Sequence, residues 1–454
     1  MMRKSFLLLC VLVALLAFSA PAYAVLPNVP SASFAPAKEC GCHAGLLTQW
    51  STSMHAKAIT DPLYLYKLGE ANKATDGALG PFCNGCHTPV GVMSGEAIGA
   101  DTSKASDVVK EGVTCDFCHQ IKGTAGPLGN TSVDITADAV KRAQFKDAVS
   151  PVHATEYSAF HETAEFCGNC HNVDHPVNGM HLEATYTEWK NGPYAQDGIV
   201  CQDCHMTPGP LVTKPNPGKA AAMGLEREHI YTMTFVGANA GLGDSVLATQ
   251  RLQAAANLDL AIEDVVAAGS TASLKTTITN VGAGHYLPTG LTEFRQMWLE
   301  VTATDAAGTE LLSKRRDFGT VLKDTSGKFP VELWEAVGIQ SDDRIPPKKS
   351  TSNDYAFAMA DGPVTVTAAL YYRSATEEVA KKAGVEIPTT TMASVTKTVY
   401  ASARQKAEGP AEEAEADEGD DRGVGSILIL VIGVVVLVVC AVGTYLLMSR
   451  TKKT

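Results

Sequence analysis

Four stretches of the chain repeat one pattern: Cys83-Asn84-Gly85-Cys86-His87, Cys115-Asp116-Phe117-Cys118-His119, Cys167-Gly168-Asn169-Cys170-His171 and Cys201-Gln202-Asp203-Cys204-His205. Two thiols about one helical turn apart, with an imidazole directly after the second, match a specific chemistry. The thiols can add to the two vinyl groups along one porphyrin edge, and the histidine then lies under the iron as proximal ligand. Each unit therefore predicts a covalent haem c. Zinc also binds Cys-x-x-Cys pairs, but it does not require a histidine after every second cysteine. Disulfides are the other use for cysteine in an exported chain. Neither accounts for four copies of the same unit.

A fifth stretch, Cys40-Gly41-Cys42-His43, is one residue short of the pattern. It has three readings: a fifth haem held by Cys42 alone or by both thiols with His43 as ligand, a reactive thiol pair, or a relic without cofactor. Cys42-His43 retains the half that places the ligand.

Electron-transfer haems need a second strong axial ligand, and histidine or methionine supplies it. After His87, His119, His171, His205 and the possible His43 are taken as proximal, seven histidines remain. Of these, His55, His153, His161 and His229 lead as distal candidates; His175 and His285 stand behind them, and His181 last. Met54, Met206 and Met233 compete, but Met206 adjoins its own proximal histidine and cannot easily reach the opposite face of that haem. The surplus of histidines favours bis-histidine iron.

These sites need positioning elements. At 454 residues the chain is long enough for two or three units. Mean hydropathy is near zero and net charge is −12, which gives no reason to expect nucleic-acid binding. Residues 1–24 read as a signal peptide: Arg3 and Lys4, an apolar run from Phe6 to Phe18, and a small-x-small site at Ala22-Tyr23-Ala24. A flexible lead-in (25–37) precedes a mostly α, loop-rich multihaem region over 38–239. Residues 240–402 predict a helix (Gly243–Ala256) and an all-β sandwich of immunoglobulin type, with alternating strands at Leu258–Val265, Ser273–Asn280, Met297–Thr304 and Val364–Arg373. An acidic linker follows at 403–424. The charge-free run from Ile427 to Met448 predicts a transmembrane helix (425–448). Arg450, Lys452 and Lys453 would keep the tail (449–454) in the cytoplasm and the body on the extracytoplasmic side of the cytoplasmic membrane.

The segment SPVHATEYSAFHETAEFCGNCH (150–171), with HPVNG, TYTEW and GIVCQDCHM, resembles the multihaem family typified by cytochrome c-554. CGCHAGLLTQWSTSMHA (40–56) resembles that family's opening haem unit, and NVGAGHYLPTG (280–290) the start of an accompanying sandwich. The resemblance implies electron transfer through closely packed haems, with His55, His153 and His161, and also His229 and His285, as distal ligands. The shortened unit at Cys40 departs from the pattern, as does Met233, where similar sequences carry histidine.

Three functions follow as expectations. The first is a membrane-anchored multihaem carrier of four or five haems, passing electrons between a membrane quinol-oxidising or cytochrome partner and an exported acceptor. The second is an oxidoreductase acting on a small nitrogen or sulfur compound at a haem with an open axial site. The third is an assembly subunit of a larger cytochrome complex or filament, with a homo-oligomer as one form. The Tyr-Thr-Glu-Trp run (186–189) is expected to pack on porphyrin faces.

Overall fold

The computed structural model describes residues 26–408. The expected signal peptide, the acidic linker from residue 409 and the apolar run 427–448 lie outside the described residues.

The cysteine-rich half is built from short helices broken by Gly, Pro and Asn. The attachment units sit on them: Gly80–His87, Cys115–Gln120 and Cys201–His205 each carry a whole unit, while Ala164–Gly168 carries Cys167 and ends before Cys170. On a helix, residues three apart share one face, so both thiols of a unit point the same way. The short unit lies on a 3-10 turn, Gly41–His43, whose tighter winding offsets part of the missing residue. The longest described helix, Pro62–Ala74, starts where the Asp61 carboxylate accepts the Leu63 N–H at 2.8 Å. Three small strand pairs lie between the units: β1 (Ile121–Thr124) with β2 (Val133–Ile135), β3 (Lys141–Ala143) with β4 (Thr155–Tyr157), and β5 (Val173–Asp174) with β6 (His181–Glu183). Among the described residues the main apolar core here is a modest one, around Phe34, Val90, Met93, Val109 and Phe117.

The second half is a two-sheet sandwich. After the helix Ser245–Ala255, capped by Asp244, come β7 (Ala256–Ile262), β8 (Thr271–Asn280), β9 (Gln296–Asp305), β10 (Glu310–Phe318), β11 (Thr320–Lys323), β12 (Gly338–Asp342), β13 (Ser350–Ala358), β14 (Val364–Arg373) and β15 (Thr390–Val399). One sheet has the order β10-β9-β14-β15 and faces a three-stranded sheet β13-β8-β7, with β11–β12 as a separate hairpin. In β8, Ala272, Leu274, Thr276, Ile278 and Asn280 are buried while their neighbours are largely exposed, the alternation of a strand with one face on a core. Met297, Leu299, Val301, Val364, Val366 and Leu370 form the other wall.

Two expectations are corrected. The described residues are not mostly α: helix is about 27% and strand 26% of them, because turn residues keep most helices of the cysteine-rich half to one or two turns and the C-terminal half is largely sheet. The single membrane-spanning helix is not found either. No helix among the described residues is long and apolar enough to cross a membrane. The longest, Pro62–Ala74, gives roughly 20 Å where a bilayer core needs about 30 Å, and it carries Lys67, Glu70 and Lys73. The single-pass localisation and the attachment to a membrane through one helix therefore find no support among the described residues.

The two halves belong to one compact unit that ends at Lys406. Glu188, 5% exposed, joins them: its carboxylate accepts the Tyr286 N–H at 3.0 Å and the Thr289 hydroxyl at 2.7 Å, and pairs with Arg344. Tyr194 donates to the Val281 carbonyl at 2.8 Å, and Lys67 pairs with Glu332 at 2.7 Å.

Candidate functional site

A connected cavity of about 1680 Å³ runs through the cysteine-rich half and up to the sandwich. Pockets for a single small ligand are typically ~300–1,000 Å³, so this space suits several large planar groups better than one substrate. It is lined by Cys40, Cys42, Cys83, Cys86, Cys115, Cys118, Cys167, Cys170, Cys201 and Cys204, and by His43, His55, His87, His119, His153, His161, His171, His175, His205 and His285. None of the ten described cysteines is in a disulfide.

The histidines of this cavity come in facing pairs. Ring centres are 6.3 Å apart for His43 and His153, 6.3 Å for His55 and His171, 6.0 Å for His119 and His161, and 6.2 Å for His205 and His285, with interplanar angles of 24°, 27°, 10° and 19°. Two imidazoles that bind one metal from opposite sides, each at about 2 Å, put their ring centres roughly 6 Å apart. The spacing is too wide for direct stacking and fits an iron between each pair. Among the described residues no group of three or more His, Cys, Asp or Glu converges on one point, which is unlike a zinc site.

Hydrogen bonds fix which ring nitrogen is free. His43 Nδ1 lies 2.7 Å from the Ala220 carbonyl, His87 Nδ1 2.8 Å from Ala58, and His119 Nδ1 2.7 Å from Arg142, so each donates there and leaves Nε2 for a metal. His171 differs: its Nδ1 faces the Glu183 carboxylate at 3.2 Å. His161 bonds the Cys118 carbonyl through Nε2, and its Nδ1 is buried without a partner.

A metal-bound imidazole must be neutral. Burial pushes His55 and His205 down to about 3 and His87 and His161 to about 4, so all four stay unprotonated near neutral pH. Burial acts the same way on His171, but the hydrogen bond and charge of Glu183 override it and raise that imidazole to about 9.

His87 is the exception to the pairing. Tyr64 lies flat on it, ring centres 3.6 Å apart at 4°, which leaves no room for a porphyrin between them. Tyr64 is thus a packing partner on the face of the imidazole, held by a 2.6 Å hydrogen bond to Asn84 Oδ1. No described histidine ring faces His87 across the cavity.

The other histidines are placed elsewhere. His175 accepts backbone N–H groups of Val177 and Asn178 and shapes its own turn. His181 is exposed and pairs with Asp174. His229 accepts the Asn216 N–H at 3.0 Å, and its Nε2 is buried and unpartnered, outside the main cavity. Met54, Met206 and Met233 line the cavity. In the Tyr-Thr-Glu-Trp run, Tyr186 and Trp189 also line it while Glu188 holds the sandwich.

Sequence reasoning passed over Glu183, Glu188 and Arg251. Arg251, 8% exposed, caps the end of the helix Cys201–His205, donating through Nη2 to the carbonyls of Cys204 at 3.0 Å and His205 at 3.3 Å. Isolated charged residues have no motif; their role appears only through partners distant in sequence. Glycine serves the site at Gly112, where a positive φ of 71° lets the chain pass the His55 carbonyl; an added Cβ would come within 2.6 Å of it.

Comparison with known proteins agrees with this geometry. The model of the family described as cytochrome c554 and c-prime matches residues 39–120. The fold is similar to that of a penta-haem cytochrome c552 from Thermochromatium tepidum, at 21% identity and a TM-score of 0.61, covering 82% of this chain and all of that one. The CARDB domain of a Pyrococcus furiosus protein also aligns, at 13% identity and a TM-score of 0.18, over 32% of this chain and 85% of its own. No curated protein matches. In its repeated attachment units, its matched segment and its fold, the chain is similar to the multihaem c-type cytochromes.

Proposed function

We propose that the chain is an electron relay holding five haem c groups. Cys83 and Cys86, Cys115 and Cys118, Cys167 and Cys170, and Cys201 and Cys204 attach four, with His87, His119, His171 and His205 as proximal ligands. Cys40 and Cys42 attach the fifth, with His43. The distal ligands are His153 for His43, His161 for His119, His55 for His171 and His285 for His205. The observation that carries this reading is the recurrence of one spacing, 6.0–6.3 Å, in four histidine pairs that include the shortened unit.

When bound, haem supplies one-electron chemistry. The chain's part is to fix position and environment. Backbone carbonyls of Ala220, Ala58 and Arg142 orient His43, His87 and His119. The paired imidazoles would hold haem from both sides at those four sites and so would leave no place there for a substrate. Net charge of −12 favours basic docking partners over acidic ones.

One observation favours a second reading, a small-molecule oxidoreductase. His87 has no facing histidine, so its haem would keep an open axial position.

Intact mass together with low-temperature EPR of the oxidised protein tests both. Five haems, four of them low-spin, are expected. A mass corresponding to four haems overturns the fifth site. A high-spin signal that cyanide converts to low-spin supports the open position at His87, and five low-spin haems exclude it.

A further inference from the structure

The five proximal histidines do not share one electrostatic setting. Three donate Nδ1–H to a neutral backbone carbonyl or lie in that class of contact: His43, His87 and His119. His171 instead faces a carboxylate, Glu183 Oε1, at 3.2 Å, and that side chain is only 17% exposed. His205 has the opposite neighbour. Arg251 holds its guanidinium against the carbonyls of Cys204 and His205, with Nε and Nη1 buried and unpartnered. Arg251 has no ion-pair partner among the described residues; Asp244 acts on it only from a distance. Nearby Asp203 is already taken by Lys214.

We propose that Glu183 and Arg251 set opposite ends of the chain's range of reduction potentials, making the His55–His171 centre the hardest of the five to reduce and the His205–His285 centre the easiest. The inference rests on the haem assignments proposed above.

The signs follow from charge. Reduction makes a centre one unit more negative. An ionised carboxylate on Nδ1–H makes imidazole a stronger electron donor and favours the ferric state. Arg295 lies near enough to Glu183 to soften its field but does not occupy its bond to His171. A buried cation beside the iron favours the ferrous state, and low-dielectric surroundings strengthen the effect. The same sign holds when Nε or Nη1 of Arg251 binds a haem propionate, since losing the cation would leave that carboxylate uncompensated.

The two centres are neighbours, since Cys167 and Cys201 lie close enough to act on each other electrostatically, as Cys170 and Cys86 also do. With haem at both centres and the potentials ordered as proposed, an electron from a one-electron donor would run downhill from the His171 centre to the His205 centre. The first is oxidised and the second reduced, with no bond made and no proton moved. That direction takes electrons towards the sandwich.

Potentiometric titration followed by haem absorbance and EPR tests the inference, using Glu183→Gln, Arg251→Met and the charge-keeping Arg251→Lys. At a fixed poise, Glu183→Gln should raise the reduced-to-oxidised ratio of the lowest-potential component about tenfold, a shift of about 59 mV. Arg251→Met should lower that of the highest-potential component by a similar factor, and Arg251→Lys should restore most of it. The inference is overturned if every haem is present and low-spin at the two centres yet no component moves, or if a middle component moves instead. Should Arg251→Met lose a haem, the Glu183→Gln and Arg251→Lys arms decide alone. Absence of haem at His171 or His205 in the unaltered protein is a different result and sinks the assignments rather than this ordering.

Discussion

His205 and His285 face each other at 6.2 Å although they come from differently built halves of the chain. His205 ends a short helix of the cysteine-rich half, and His285 lies in the loop after β8 of the sandwich. The sandwich is therefore part of the site, not an appendage beside it. Its loop is fixed by Glu188 through the Tyr286 N–H and by Asn280 Nδ2, which donates to the His285 carbonyl at 2.9 Å.

Replacing His285 by Ala should leave the haem content at its full value and convert one low-spin haem to high-spin. His285 lies in a loop and adds little to either apolar core, so folding should persist. EPR of the oxidised variant is the measurement. An unchanged low-spin count would mean that His285 is not an axial ligand.

Glu188→Ala should act on the same ligand from a distance. It leaves Arg344, whose side chain is 9% exposed, without its buried partner, and it strips acceptors from Tyr286 and Thr289. Arg344 keeps its pairing with Asp342, so the cost stays below the roughly 3–5 kcal/mol of a buried charge left with no partner. The thermal midpoint should fall clearly, and a fraction of the His205 centre should become high-spin. Glu188→Gln, which keeps an acceptor oxygen, should do less on both measures.

The sequence made the attachment units legible because covalent chemistry ties two thiols and an imidazole to one short spacing. Strands β8, β9 and β14 were legible through alternation. β10 was not: Ser313, Lys314 and Arg315 are exposed in succession, with Arg316 half-buried after them, and this polar run hides the few inward residues. β13, with Ser350, Ser352 and Asp354 outward, is similarly masked. The pairing of histidines was out of reach, since His43 meets His153, and His55 meets His171, only through long-range folding. His229 illustrates the converse. It stood among the leading distal candidates, yet the structure puts it in a small pocket beside Lys214 and Tyr231, away from the main cavity. The membrane helix was read from a run, 427–448, that lies outside the described residues, and the mostly α region from segments whose frequent turn residues leave only short helices.

The double variant Cys40→Ala/Cys42→Ala should lose one haem, from five to four by intact mass, while the other centres keep their spectra. The 3-10 turn at Gly41–His43 places His43 without help from a long helix, and the Ala220 carbonyl holds its ring. Unchanged haem stoichiometry would show that the short unit carries no cofactor.

Glu293 gives stability a pH dependence of definite sign. Burial pushes its carboxyl from the ordinary 4.5 up to about 8, only partly offset by the nearby charges of Arg295 and Lys67. Its Oε1 is buried without a hydrogen-bond partner, so the neutral form suits the fold better than the anion. An acid whose pKa is raised on folding binds more protons in the native state. Its contribution is therefore complete below about pH 4.5 and is lost as pH rises through about 8, at up to roughly 1.4 kcal/mol per pH unit between them. Thermal midpoints of the haem-loaded protein should fall between pH 5 and pH 9, and Glu293→Gln should flatten that fall. At pH 9 the variant should be the more stable of the two. If both proteins lose the same stability over this range, the carboxyl of Glu293 is ionised in the fold and another group carries the dependence.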